Sequence, residues 1–197
     1  MSGERVGKVQ RKTRETDVRV RLDLDGSGEW RLSTGVPFLD HMLSHVAVHG
    51  LFDLEITCEG DVEIDDHHSV EDMGIVLGQA LSQALGDKAG IVRYGAQMMV
   101  MDEALVLVAL DFSGRPMLVY EAELPAQKVG SFDTELVPEF LRALANHAGL
   151  TLHIKLLHGR NTHHIIEAIF KGLGRALGQA VARDPRRGQV PSTKGVL

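Results

Sequence analysis

Apolar and polar residues alternate over Val18, Val20 and Leu22, and the alternation returns over Val106, Val108 and Leu110. A period of two puts one face of each stretch in a core and predicts two strands. Each runs into a glycine-bearing segment, Asp25-Gly26-Ser27-Gly28 in one place and Ser113-Gly114-Arg115-Pro116 in the other. Such segments predict a hairpin with a second strand following. The period then lengthens. Leu39, Met42, Leu43 and Val46 share one helical face between Pro37 and His49, as Leu141 and Leu144 do between Pro138 and His147. Short apolar runs, Leu51 to Thr57 and Leu150 to Leu156, read as strands. Two longer helices complete the pattern, Asp66 to Leu85 and Thr162 to Ala182.

The residues themselves repeat. His67-His68-x-x-Glu71 returns as His163-His164-x-x-Glu167 at a shift of 96, followed at that shift by Leu77/Leu173, Gly78/Gly174, Ala80/Ala176, Leu81/Leu177, Gln83/Gln179 and Ala84/Ala180. Upstream, Val18, Val20, Leu22, Asp23 and Gly26 match Val106, Val108, Leu110, Asp111 and Gly114 at a shift of 88, which sets Glu15 opposite Glu103. The chain is therefore an ancient duplication. Each half reads as strand, strand, helix, strand, helix, and a half that small buries little apolar surface alone. The expectation is one α+β domain over residues 1–197, helices packed between outer sheets, with half-repeats at about 4–95 and 96–183 and a tail at about 184–197.

Composition narrows the function classes. The apolar share, 44% of 197 residues, suffices for a core, and the longest apolar runs, such as Ala104 to Leu110, fall far short of a membrane helix. With no signal-peptide core at the N-terminus either, the expected location is the cytoplasm. Cys58 is the single cysteine, so any metal must be held by His and carboxylate. A net charge of -6 argues against general nucleic-acid binding, although Arg183, Arg186, Arg187 and Lys194 make the tail locally basic and suited to a small anion. No GxGxxG or P-loop pattern points to a nucleotide.

On a helix, Glu71 lies three and four residues from His68 and His67 and shares their face, while adjacent histidines diverge by about 100°. The pair is thus better placed to serve two ions than to chelate one. The helix preceding each motif adds His41 in the first copy and, at a shift of 98, Glu139 in the second. The eight candidate ligands are His41, His67, His68, Glu71, Glu139, His163, His164 and Glu167. Shared between two octahedral ions such as Mn²⁺, they leave open positions for substrate or water. A duplicated triad is hard to explain by capping or core hydrogen bonds alone. His45, His49, His147, His153 and His158 have no histidine in the matching place, and packing or surface exposure accounts for them. Asp65-Asp66 offers either a further carboxylate at or behind the metal or a helix cap, and capping is the expectation for at least one of the two. Arg93, Arg115, Lys171 and Lys194 are candidate anion-binding cations.

Five segments carry a family resemblance: Gly35-Val-Pro-Phe-Leu-Asp-His-Met-Leu43, Asp65-Asp-His-His-Ser-Val-Glu-Asp72, Ser113-Gly-Arg-Pro116, His163-His-Ile-Ile-Glu-Ala168 with Phe170-Lys171, and Pro191-Ser-Thr-Lys-Gly195. Over essentially its whole length the chain resembles the imidazoleglycerol-phosphate dehydratases. The resemblance implies a ribosomal protein S5 domain 2-like fold and a carbon–oxygen lyase that converts imidazole glycerol phosphate to imidazole acetol phosphate in histidine biosynthesis. It also implies two Mn²⁺ per active site and a homo-oligomer, a 24-mer, with sites between subunits. Substrate contacts fall on Glu15, Arg93, Arg115, Lys171, Ser192, Thr193 and Lys194. Glu139 departs from the histidine many members have there, and a carboxylate can replace imidazole at Mn²⁺. Glu71 or Glu167 is the expected base, and Glu15 assists departure of the hydroxyl. From spacing alone, a dinuclear metal-dependent phosphohydrolase is the alternative.

Overall fold

The computed structural model describes residues 4–195 and 197. The first half comprises β1 (Val6–Lys12), β2 (Thr16–Asp23), β3 (Trp30–Ser33), α1 (Pro37–Gly50), β4 (Asp53–Gly60) and α2 (His67–Leu85). The second comprises β5 (Tyr94–Met101), β6 (Ala104–Asp111), β7 (Met117–Glu121), α3 (Leu136–Ala148), β10 (Thr151–His158) and α4 (Thr162–Val181), with a small β8 (Lys128–Val129) and β9 (Phe132–Asp133) pair before α3. The sheet orders β1-β2-β4-β3 and β5-β6-β10-β7 are the same topology twice.

This corrects two expectations. The glycine segments after β2 and β6 do not close hairpins, because β4 inserts between β2 and β3 and runs parallel to β3, as β10 does beside β7. The antiparallel hairpins are instead β1-β2 and β5-β6. Their first strands escape the sequence pattern, since β1 is largely polar and β5 exposes Met98 and Val100 on its outer face. Each half is thus strand, strand, strand, helix, strand, helix.

One face of each sheet is buried. Val18, Val20 and Leu22 of β2 and Val106, Val108 and Leu110 of β6 join a single core cluster with all four helices. The helices lie between the sheets, α2 on β1 and β2, α4 on β5 and β6. Across the halves, α1 packs on α4 and α3 on α2. Repeated glycines permit that exchange. A Cβ on Gly78 would lie 2.8 Å from the Leu144 carbonyl oxygen of α3, and one on Gly174 would lie 2.8 Å from that of Val46 in α1. The repeated glutamines dock the same helices on their sheets: Gln83 accepts the Lys8 N–H at 2.6 Å, and Gln179 accepts that of Ala96 at 3.0 Å. Among the described residues no helix is long and apolar enough to cross a membrane.

Candidate active site

Both motifs begin their helices. Asn161 caps α4 by accepting the N–H groups of His163 and His164, and Asp65 accepts that of His67 at 2.8 Å. Asp65 thus holds the first N–H of α2, while Asp66, the N-cap residue, makes no side-chain cap hydrogen bond. In each copy the adjacent imidazoles stand apart, with ring centroids 6.3 Å from each other and ring planes crossing at 90° in the first and 84° in the second.

The exchange of helices decides the partners of each motif. His41 precedes the first motif in sequence, yet α1 carries it to the second. Its Nε2 lies 3.5 Å from Glu167 Oε2, which is also 3.1 Å from His163 Nε2, while Lys171 Nζ contacts Glu167 Oε1 at 2.6 Å. His45, one turn beyond His41, joins them at 3.6 Å from Glu167 Oε1, and its Nε2 is buried without a hydrogen-bond partner. The repeat gives no pointer to His45, because its place in α3 falls on Ala143. The four-residue spacing from His41 is the signal that finds it.

The electrostatics follow. Burial alone would raise the Glu167 carboxyl, but the Lys171 ammonium, with His45 and His163, outweighs it and holds the group at about 2. Burial lowers the His45 imidazole to about 4, so it is neutral at physiological pH and keeps a lone pair for a ligand. In metal-free protein both groups bind protons more readily when unfolded. Stability is expected to fall as pH drops from about 6.5 to 4 through His45 and from about 4.5 to 2 through Glu167. Denaturant melts across that range check this, and Glu167→Gln should flatten the lower part of the curve.

The first motif is more open. Glu71 is exposed, and Ile75 stands where the second half has Lys171. His68 Nδ1 meets Asp61 Oδ2 at 3.0 Å, with Glu15 Oε2 at 4.0 Å. Glu139 lies on α3, packed against α2, where Phe140 covers Gly74 one turn past Glu71. It pairs with Arg142 at 2.6 Å. Among the described residues no hydrogen bond or ion pair joins Glu139 to His67, His68 or Glu71, or joins the two motifs to each other. His164 is held by Glu103, whose carboxyl is drawn down to about 2 by that hydrogen bond and by the backbone N–H groups of Asn161 and Arg160.

A third cluster gathers most of the expected anion-binding residues. Arg93, Arg115, Ser192, Thr193 and Lys194 line one open cleft of about 490 Å³ with Tyr94, Pro191 and Leu197. Arg93 forks onto Asp111 at 2.6 and 3.0 Å and donates to the Pro191 carbonyl at 2.7 Å, so the tail is tied to β6 through one guanidinium. Its φ of 79° is a strained value for a non-glycine residue, held by these bonds. Ser113 and Thr151 fix the turn that presents Arg115. Lys171 is elsewhere, with Glu167, and Glu15 is near His68.

His41, His45 and Glu167 bring ligand atoms within 4.8 Å of one another, with the His45 Nε2 buried and orphaned, and His163 Nε2 reaches the same carboxylate at 3.1 Å. This donor set fits a divalent cation of mixed nitrogen and oxygen preference. Known proteins resemble the chain as a whole. A family model described as "Imidazoleglycerol-phosphate dehydratase" matches residues 34–177. Curated relatives of that name include those of Moorella thermoacetica, 59% identical over 96% of both chains, and Symbiobacterium thermophilum, 62% identical over 98% of this chain and 93% of the relative. The crystal structure of imidazoleglycerol-phosphate dehydratase from Staphylococcus aureus subsp. aureus N315 superposes with a TM-score of 0.83 at 45% identity, covering 91% of this chain and 99% of that one.

Proposed function

Since the chain belongs to the imidazoleglycerol-phosphate dehydratase family, hydro-lyases of histidine biosynthesis, we propose that it performs this dehydration with Mn²⁺ in sites assembled between copies of itself. The convergence of His41, His45 and His163 on Glu167 carries the metal assignment. Association is supported by the way one chain divides the expected residues among a motif around buried Glu167, an open motif and a separate cleft lined by cations and hydroxyls. Exposed apolar side chains such as Ile64, Met98 and Val100 supply surface for it. The proposed ligands are His41, His163, His164 and Glu167 from one helix pair and His67, His68, Glu71 and Glu139 from the other, with His45 added.

When bound, the cation supplies Lewis acidity that eases the build-up of charge in the substrate's imidazole ring. The protein's own groups do the rest. Arg93, Arg115, Lys194 and the hydroxyls of Ser192 and Thr193 hold the phosphate, with Arg93 already locked in place. Glu167 already faces the Lys171 ammonium at 2.6 Å and anchors that cation and the ligands, whereas exposed Glu71, with Ile75 in the place of that lysine, is the carboxylate left to take the carbon-bound proton. The electron pair of that C–H bond forms the double bond as the neighbouring hydroxyl, protonated by Glu15, leaves as water. The resulting enol rearranges to the ketone.

Metal-stripped protein supplied with imidazole glycerol phosphate, with and without Mn²⁺, tests this reading. Ketone formation that requires Mn²⁺ and releases no phosphate is the expected result. Phosphate release would replace dehydration by hydrolysis, and equal ketone formation without metal would remove the cation from the reaction.

A further inference from the structure

In each half a carboxylate meets the second histidine of the motif at Nδ1. Glu103 Oε2 lies 2.7 Å from His164 Nδ1, while its Oε1 accepts the backbone N–H groups of Arg160 at 3.1 Å and Asn161 at 2.7 Å. Asp61 Oδ2 lies 3.0 Å from His68 Nδ1. An ionised carboxylate accepts only, so each neutral imidazole must donate from Nδ1 and keep its lone pair on Nε2. Asp102, on the same two-residue turn as Glu103, approaches His164 Nε2 no closer than 3.8 Å and is mostly exposed.

The two halves reach this arrangement by different residues. The duplication sets Glu15 opposite Glu103, but Glu15 stops 4.0 Å from His68 Nδ1 and stays largely in solvent. Asp61 comes from the loop between β4 and α2, six residues long against three between β10 and α4, and occupies the position instead. We propose that Glu103 and Asp61 are positioning residues that fix His164 and His68 in the Nδ1–H tautomer and so present Nε2 to the cation. Glu15 is thereby released from the structural duty its counterpart keeps. This inference rests on the metal reading above; the tautomer itself does not.

Glu103→Gln separates the two. Both oxygens of Glu103 are committed. A glutamine that keeps its oxygen on the Arg160 and Asn161 N–H groups must turn its amide NH₂ toward His164 Nδ1, which then has to accept. The proton moves to Nε2, the nitrogen intended for the metal. Side-chain ¹⁵N NMR of metal-free, full-length protein at mildly alkaline pH should show Nδ1–H at His164 and His68 in the wild type and Nε2–H at His164 alone in Glu103→Gln. Mn²⁺ titration should show affinity about 10- to 100-fold weaker in the variant, the range typical of lost partners behind a metal ligand. A wild-type His164 protonated at Nε2 overturns the proposal without any variant. An unchanged tautomer in a folded variant, or a switched tautomer with undiminished Mn²⁺ affinity, overturns it too. Wild-type protein that takes up no Mn²⁺ defeats the metal reading itself, a different outcome from any of these.

Discussion

Replacing Glu167 by glutamine is expected to lower kcat/KM for imidazole glycerol phosphate by at least about 100-fold, within the range that single acid–base or electrostatic groups contribute. The side chain is nearly identical in volume, so the loss reports charge. In the protein, this carboxylate faces the Lys171 ammonium at 2.6 Å and the imidazoles of His163, His41 and His45 at 3.1 to 3.6 Å. A neutral amide leaves the partly buried Lys171 ammonium uncompensated, and an unpaired charge there is costly. It also removes the anionic member of the proposed ligand set. Steady-state kinetics alongside a count of bound Mn²⁺ distinguish the two contributions. A low metal count that is restored at high Mn²⁺ together with activity marks a ligand, whereas full metal with low turnover marks a group acting on substrate. Near-normal turnover would exclude both roles.

The largest expected effect on stability comes from Gly95→Ala. Replacing glycine in a strand by alanine ordinarily stabilises by restricting the unfolded chain, by up to about 1 kcal/mol. Here the sign reverses. A Cβ at Gly95 would press on the Ala176 carbonyl oxygen of α4 and come within 2.7 Å of its carbonyl carbon. The obstacle is helix backbone, which no rotamer change can move. Forced overpacking of this kind costs about 3 kcal/mol. For a chain of this size that corresponds to a fall in Tm of roughly 6–12 °C. Gly7 meets the Ala80 carbonyl of α2 in the same way, so Gly7→Ala should behave alike. Thermal melts of the two variants check this, and an unchanged Tm would show that the helices can lift from their strands at little cost.

That close approach explains part of what the repeat recorded. Ala80/Ala176, Gln83/Gln179 and Gly78/Gly174 are identical between halves because they dock helix on strand and helix on helix in the same way twice. The His-His-x-x-Glu triads were legible for a related reason. Helical spacing alone puts Glu71 and Glu167 on the face of their histidines and turns adjacent rings apart, and in both copies the ring centroids stand 6.3 Å from each other. That Arg93, Arg115, Lys194 and the tail hydroxyls serve one ligand follows from the family resemblance rather than from periodicity, and they line one cleft, whereas Lys171 sits with Glu167.

The amino-acid sequence by itself determined the duplication, the α+β class, the four helices with their buried faces and the chemistry of the motif residues. These are properties of local period and residue type. Tertiary structure decided the rest, because an alternating pattern reports which face is buried but not which strand lies alongside. Hence β4 inserts between β2 and β3, where the glycine-bearing segment predicts a hairpin. It also decided that α1 crosses to α4, gathering His41 and His45 around Glu167 while Glu71, its twin in the repeat, remains open to solvent. Two residues equivalent in sequence thus differ in charge environment, since the field at a carboxylate depends on groups brought near by folding and not on its neighbours along the chain.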